Sequence, residues 1–72
     1  SMLEKILDSL IEMEGNLDDA FYSLPDYSAN EDSRGYIDNA RSELYNIKDE
    51  IEKAILDSNS VADGEGRLKG NN

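Results

Sequence analysis

Apolar residues recur along the first third of the chain at a fixed interval. Leu3, Leu10, Leu17 and Leu24 are seven residues apart, and Ile6, Met13 and Ala20 each follow the first three by three. This is the a/d heptad pattern of a helix that packs on another helix. Leu7 and Phe21 take the adjoining e position and widen the stripe, as a helix in a bundle requires. The spacing predicts a helix over about 3–23. Pro25 then stops it, because its ring disfavours helical geometry at Leu24.

A second stripe runs through Ile37, Ala40, Leu44, Ile47, Ile51 and Ala54, spaced alternately three and four apart, with Ile55 widening it. It predicts a helix over about 29–59. Ser28 followed by Glu31 fits a capping box, in which hydroxyl and carboxylate each satisfy a free backbone N–H at a helix start. On the outer surface, opposite charges stand four apart at Arg34 and Asp38, Lys48 and Glu52, Asp49 and Lys53, and Lys53 and Asp57, each pair worth ~0.2–0.5 kcal/mol. After Asn59 the stretch SVADGEGRLKGNN has three glycines and no periodicity. Residues 60–72 are therefore expected to form a flexible tail.

The fold class that follows is all-α: an antiparallel helical hairpin over residues 2–59, its helices joined by a short link from about Leu24 to Ser28. Two helices make a seam rather than a core, and these stripes are wider than one seam covers. Pairing two hairpins into a four-helix bundle would cover them, so a homodimer is expected. The residues expected in the core or dimer seam are Leu3, Ile6, Leu10, Met13, Leu17, Phe21, Ile37, Leu44, Ile47 and Ile51.

Length and composition narrow the function. Seventy-two residues make one small domain, near the size at which burial struggles to offset ordering entropy, and help from a partner is expected. The chain has no cysteine and no histidine, which excludes disulfides, thiolate and imidazole metal sites, and histidine bases or cysteine nucleophiles. No apolar run approaches the ~20 residues that span a bilayer, and the N-terminus lacks the features of a signal peptide. A cytoplasmic protein is expected. Ser1 reads as a residue left by tag cleavage, and Met2 as the native start.

Seventeen acids against seven bases give a net charge of −10, which argues against direct contact with nucleic acid or an anionic membrane and makes a charged partner basic. Residues 30–41 place Asp32, Gly35, Ile37 and Asp38 where a calcium-binding EF-hand loop needs them. Asn30, Arg34 and Arg41 fall where that loop needs acidic oxygen ligands, so no metal and no cofactor is expected. Adjacent carboxylates such as Asp18 and Asp19 point about 100° apart on a helix and cannot share a proton. No nucleophile and base can be paired, and an enzyme is not expected.

Two candidate binding features remain. Tyr22, Tyr27, Tyr36 and Tyr45 include three tyrosines crowded around the turn, where aromatic rings serve as rigid anchors for another protein, or where Tyr27 and Tyr36 cap the end of the core over Phe21 and Leu24. Glu4, Asp8, Glu12, Asp18 and Asp19 form an acidic stripe on the first helix, a candidate mimic of nucleic-acid phosphates. The expected function is a small acidic protein–protein interaction module, a regulator or inhibitor of the kind that phages and mobile elements encode. The alternatives are a phosphate mimic that blocks a DNA- or RNA-binding protein, and a purely structural bundle.

Overall fold

The computed structural model describes residues 1–64, with side chains through Asn59. Two α-helices and one short 3-10 turn account for almost all of that span: α1 covers Met2–Ser23, the 3-10 turn Ser28–Asn30, and α2 Glu31–Gly64. The helices lie antiparallel. The molecule measures 59 × 18 × 12 Å, so it is two helices wide and one helix thick. Its radius of gyration is 18.1 Å, where a compact chain of this length would have about 11 Å.

α1 begins with a capping box supplied by Ser1, the residue expected to be a remnant of tag cleavage. Ser1 is the N-cap: its hydroxyl accepts from the Glu4 N–H at 3.2 Å, while the amino group of Ser1 donates to Glu4 Oε1 at 3.1 Å. That ammonium group, by hydrogen bond and by charge, holds the Glu4 carboxyl below its usual range. The capping box expected at Ser28 and Glu31 does not form. Ser28 lies inside the 3-10 turn, whose cap is Tyr27 with no side-chain bond. The tight turn is closed instead by backbone, Tyr27 N–H to Pro25 O at 2.8 Å and Asn30 N–H to Tyr27 O at 2.9 Å. The Asn30 amide also donates to Pro25 O at 3.0 Å.

At its other end α1 stops where Pro25 requires, with Leu24 in an extended conformation at φ −91° and ψ 120°. Its last turn carries no basic residue to complement the free carbonyls and the negative end of the helix dipole. Arg34 supplies the charge from across the turn. Its Nη1 donates to Leu24 O at 2.5 Å and to Phe21 O at 3.4 Å, and its Nε pairs with Asp26 at 3.5 Å.

α2 runs five residues beyond Asn59, through Gly64. Residues 60–64, expected in the tail, are thus helical: Ser60 to Asp63 contain no proline or glycine, and each added helical residue gains a backbone hydrogen bond. Residues 65–72, the rest of that expected tail, lie outside the described residues. Within the helices, a methyl group added at Gly15 or Gly35 would meet nothing within 4 Å. Gly15→Ala and Gly35→Ala are each expected to stabilise the chain by about 0.5–1 kcal/mol, read as a later midpoint in urea, because alanine costs less to hold in a helix.

The seam is narrower than the two stripes. Among the described residues, Leu10 and Leu44 are the buried apolar ones, at 9% and 6% exposure. The other a positions, Leu3, Leu17, Leu24, Ile37 and Ile51, are half-buried, and so are the e positions Leu7, Phe21 and Ile55. The d positions Ile6, Met13 and Ile47 stay outside it, exposed by 39–51%. The hairpin closes on its a and e rows and leaves the larger d side chains uncovered.

Candidate functional site

The e rows of the two helices meet in register. Leu7 and Ile55 line one recess, the Lys48 ammonium donates to Glu14 Oε1 at 2.7 Å, and the Arg41 guanidinium lies 4.6 Å from the centre of the Phe21 ring. Each step of seven residues forward in α1 is matched by seven back in α2. An apolar pair, an ion pair and a cation–π pair thus follow one another along the seam, and the two polar ones fix its register. Arg41 reaches further: its Nε bonds Asp18 at 2.9 Å and its Nη1 bonds Asp38 on its own helix at 3.1 Å.

These contacts correct the expected ion pairs. Asp49 and Lys53 do pair, at 3.1 Å. Arg34 turns to the end of α1 instead of Asp38, Lys48 crosses to Glu14 instead of bonding Glu52, and no bond joins Lys53 to Asp57 among the described residues. The physical reason is burial. The Lys48 and Arg41 side chains are 18% and 24% exposed, so water screens their cross-seam partners less than it screens a pair on the outer surface.

The hydrogen bond to Glu14 raises the Lys48 pKa above its ordinary 10.5, burial opposing it. A lysine whose folded pKa is raised contributes stability that is whole below the unfolded value and is lost as pH rises through the folded one. Melting temperatures of wild type and Lys48→Met should therefore differ most at neutral pH and converge above about pH 10.5. A gap that stays constant across that window would mean the ion pair contributes nothing.

The two broad sides of the hairpin differ in chemistry. One carries the ion pairs: Glu14, Asp18, Asp38, Arg41 and Tyr45 line a single open groove there. The other carries a groove lined by Met13, Leu17, Ala40, Leu44 and Ile47, edged by Asn16 and Glu43. Tyr45 and Tyr36 are nine residues apart, two and a half turns at ~3.6 residues per turn, so they stand on opposite sides of α2. Tyr22 and Met13 are separated in the same way on α1.

The four tyrosines are accordingly distributed rather than gathered. All are exposed, by 62–74%. Tyr22 and Tyr45 belong to the ion-paired side, where the Tyr22 ring packs edge-on against Phe21 at 5.2 Å and Arg41 lies 5.2 Å from its centre. Tyr36 belongs to the apolar side, and Tyr27 to the turn. Of the two roles weighed from sequence, capping the core end falls not to Tyr27 and Tyr36 but to Arg34, which lies 4.3 Å from the centre of the Phe21 ring.

The acidic stripe is also divided. Asp8, Glu12 and Asp19 are exposed and make no ion pair among the described residues, while Glu4 is held by the Ser1 amino group and Asp18 by Arg41. Glu14, absent from the expected stripe, is half-buried on Lys48. Residues 30–41 are helical, without the looped shape of a calcium site, and no three acidic side chains converge to hold a metal among the described residues. No described helix is long and apolar enough to cross a membrane. Compared with protein-family models, with curated proteins and with solved structures, the chain gives no match.

Proposed function

We propose that the chain is a non-enzymatic protein–protein interaction module that self-associates into a four-helix bundle and regulates or inhibits another protein that it binds. One observation carries the reading: among the described residues only Leu10 and Leu44 are buried, whereas ten large hydrophobic side chains, Met2 to Leu56, are exposed by 39–77%, nine of them on the two broad sides of a single helical layer and Tyr27 in the turn. Two buried leucines offer too little to offset the ordering of so many residues, so at least one side is covered in the working protein. A second copy supplies that cover.

The side left outside pairs aromatic anchors with negative charge. Tyr22, Tyr45, Ile11 and Leu56 stand among Asp18, Asp38 and Asp49, which fits a partner that brings apolar side chains and lysine or arginine together. Exposed Asp8, Glu12 and Asp19 support a second reading, a mimic of nucleic-acid phosphates. Capture of partners on the immobilised chain, followed by binding measured against salt, separates the two. For a tyrosine-anchored partner, Tyr22→Ala is expected to cost ~2 kcal/mol, with weak salt dependence and no competition by nucleic acid. Steep salt dependence, competition by DNA or RNA and loss of binding on neutralising the three acids would select the mimic instead. Sedimentation equilibrium tests the self-association: a folded monomer at micromolar concentration defeats it.

A further inference from the structure

The self-association just proposed leaves open which side meets which, and how the two copies lie. The d rows decide the side. Ile6, Met13 and Ala20 on α1 and Ala40, Ile47 and Ala54 on α2 share the apolar side, and none is charged. Beside them on α1 the g row reads Met2, Ser9, Asn16 and Ser23, also without charge. A chain with a net charge of −10 thus keeps one broad side of α1 free of acids, whereas the opposite side is lined by Glu14, Asp18 and Asp38.

The size of that side fits. α1 has 22 residues, about 33 Å at 1.5 Å each, and over a width of 18 Å this gives a flat area of about 600 Å² before side-chain relief is counted. A standard interface buries about 800 Å² per partner.

The g row of α2 decides the orientation. It reads Tyr36, Glu43, Glu50 and Asp57. Two hairpins joined face to face by a two-fold axis can lie in only two ways. With the axis across the helices the turns lie at opposite ends and each helix lies on its own copy. Layering Met13 on Met13 and Ile47 on Ile47 then sets Glu43 against Glu50 of the second copy, twice, with no cation in the row. With the axis along the helices the turns share one end and α2 lies antiparallel on α1 of the second copy. Glu43 then meets Asn16, Glu50 meets Ser9, Asp57 meets Met2 and Tyr36 meets Ser23. In the second arrangement the acids of this row face the uncharged row of α1, with Glu12 and Asp19 one row further out, whereas in the first they face each other directly.

We propose that a second copy of this chain covers the Met13 and Ile47 side with both turns at the same end of the bundle, each α1 antiparallel to α2 of the other copy. Ser28 is exposed in the turn and the sequence has no cysteine, so Ser28→Cys accepts a single nitroxide label. Ser28 lies 19 residues before Ile47, hence ~28 Å along the axis from the level of Ile47 and Met13, and neighbouring helices are spaced by ~8–10 Å. Pulsed electron resonance on the full chain should then give a label-to-label distance below ~25 Å. A distance of ~55 Å would place the turns at opposite ends and overturn the orientation while leaving self-association intact. For the side, Ile47→Glu is expected to weaken self-association by about 100-fold, as burying an unpaired charge does, and Tyr45→Glu on the opposite side by less than about threefold. The reverse order would overturn the choice of side. A chain that sediments as a monomer would remove the arrangement and the self-association together.

Discussion

Leu44→Asp is expected to abolish the helical fold, seen as loss of the helical circular dichroism signal at room temperature. Leu44 is the least exposed residue of the seam at 6%, and Leu10 at 9% is the other buried apolar side chain. Removing a buried leucine forfeits about 1.5–3 kcal/mol of apolar burial, and an unpaired carboxylate in its place costs several more. Small domains hold only about 5–15 kcal/mol in all, and a single-layer hairpin belongs at the low end of that range. Leu44→Ala should keep the fold with about 2–4 kcal/mol less stability, read from its urea midpoint. Ile47→Asp is the informative contrast. Ile47 is 48% exposed, so a carboxylate there can turn to water in the single hairpin. It should damage assembly more than helix content. Full helicity in Leu44→Asp would show that the a row does not hold the hairpin together.

Both helices and their antiparallel order are legible in the chain, because seven-residue spacing of leucine and isoleucine records directly which positions face a neighbour. The split of each stripe into a covered row and an uncovered row is less legible. Leu7 and Phe21 at e mark the true centre of the α1 seam, but on α2 the same row is Arg41, Lys48 and Ile55, and two cations read as outer surface. Their inward placement follows from what they meet, Glu14, Asp18 and the Phe21 ring, and those partners lie 20 to 34 residues away in sequence. The capping role of Arg34 leaves still less trace, since its acceptors are backbone carbonyls 10 and 13 residues earlier, which no side-chain pattern encodes. The Ser1 cap was readable: serine followed three residues later by glutamate is the same signature that Ser28 and Glu31 carry. The difference lies in what surrounds each, for Pro25 and the bonds to its carbonyl pull Ser28 into a 3-10 turn.

The chain's one phenylalanine is placed where two cations need a ring, and the second large effect follows from that. Arg34 and Arg41 lie over the Phe21 ring at 4.3 and 4.6 Å from its centre, and Tyr22 meets it edge-on. Phe21 thereby joins the cap on the end of α1 to the ion-paired side of the seam. Phe21→Ala should lose apolar burial worth ~1–2 kcal/mol for a half-buried ring and cation–π attraction of similar total size, about 3 kcal/mol together. It also releases Arg34, whose bonds to Leu24 O and Phe21 O hold the last turn of α1. Phe21→Leu separates the contributions, because it keeps most of the apolar bulk and removes the π face. It is expected to cost about 1–1.5 kcal/mol, and Phe21→Trp, whose ring attracts cations more strongly, to cost less where its bulk fits. Arg34→Lys should not restore what Arg34→Ala loses, since an ammonium group can neither lie flat on the ring nor present parallel donors to two carbonyls. Urea midpoints at constant salt measure all of these. If Phe21→Leu proves as stable as wild type, the ring acts by bulk alone and the two guanidinium groups are held by their carboxylate and carbonyl partners.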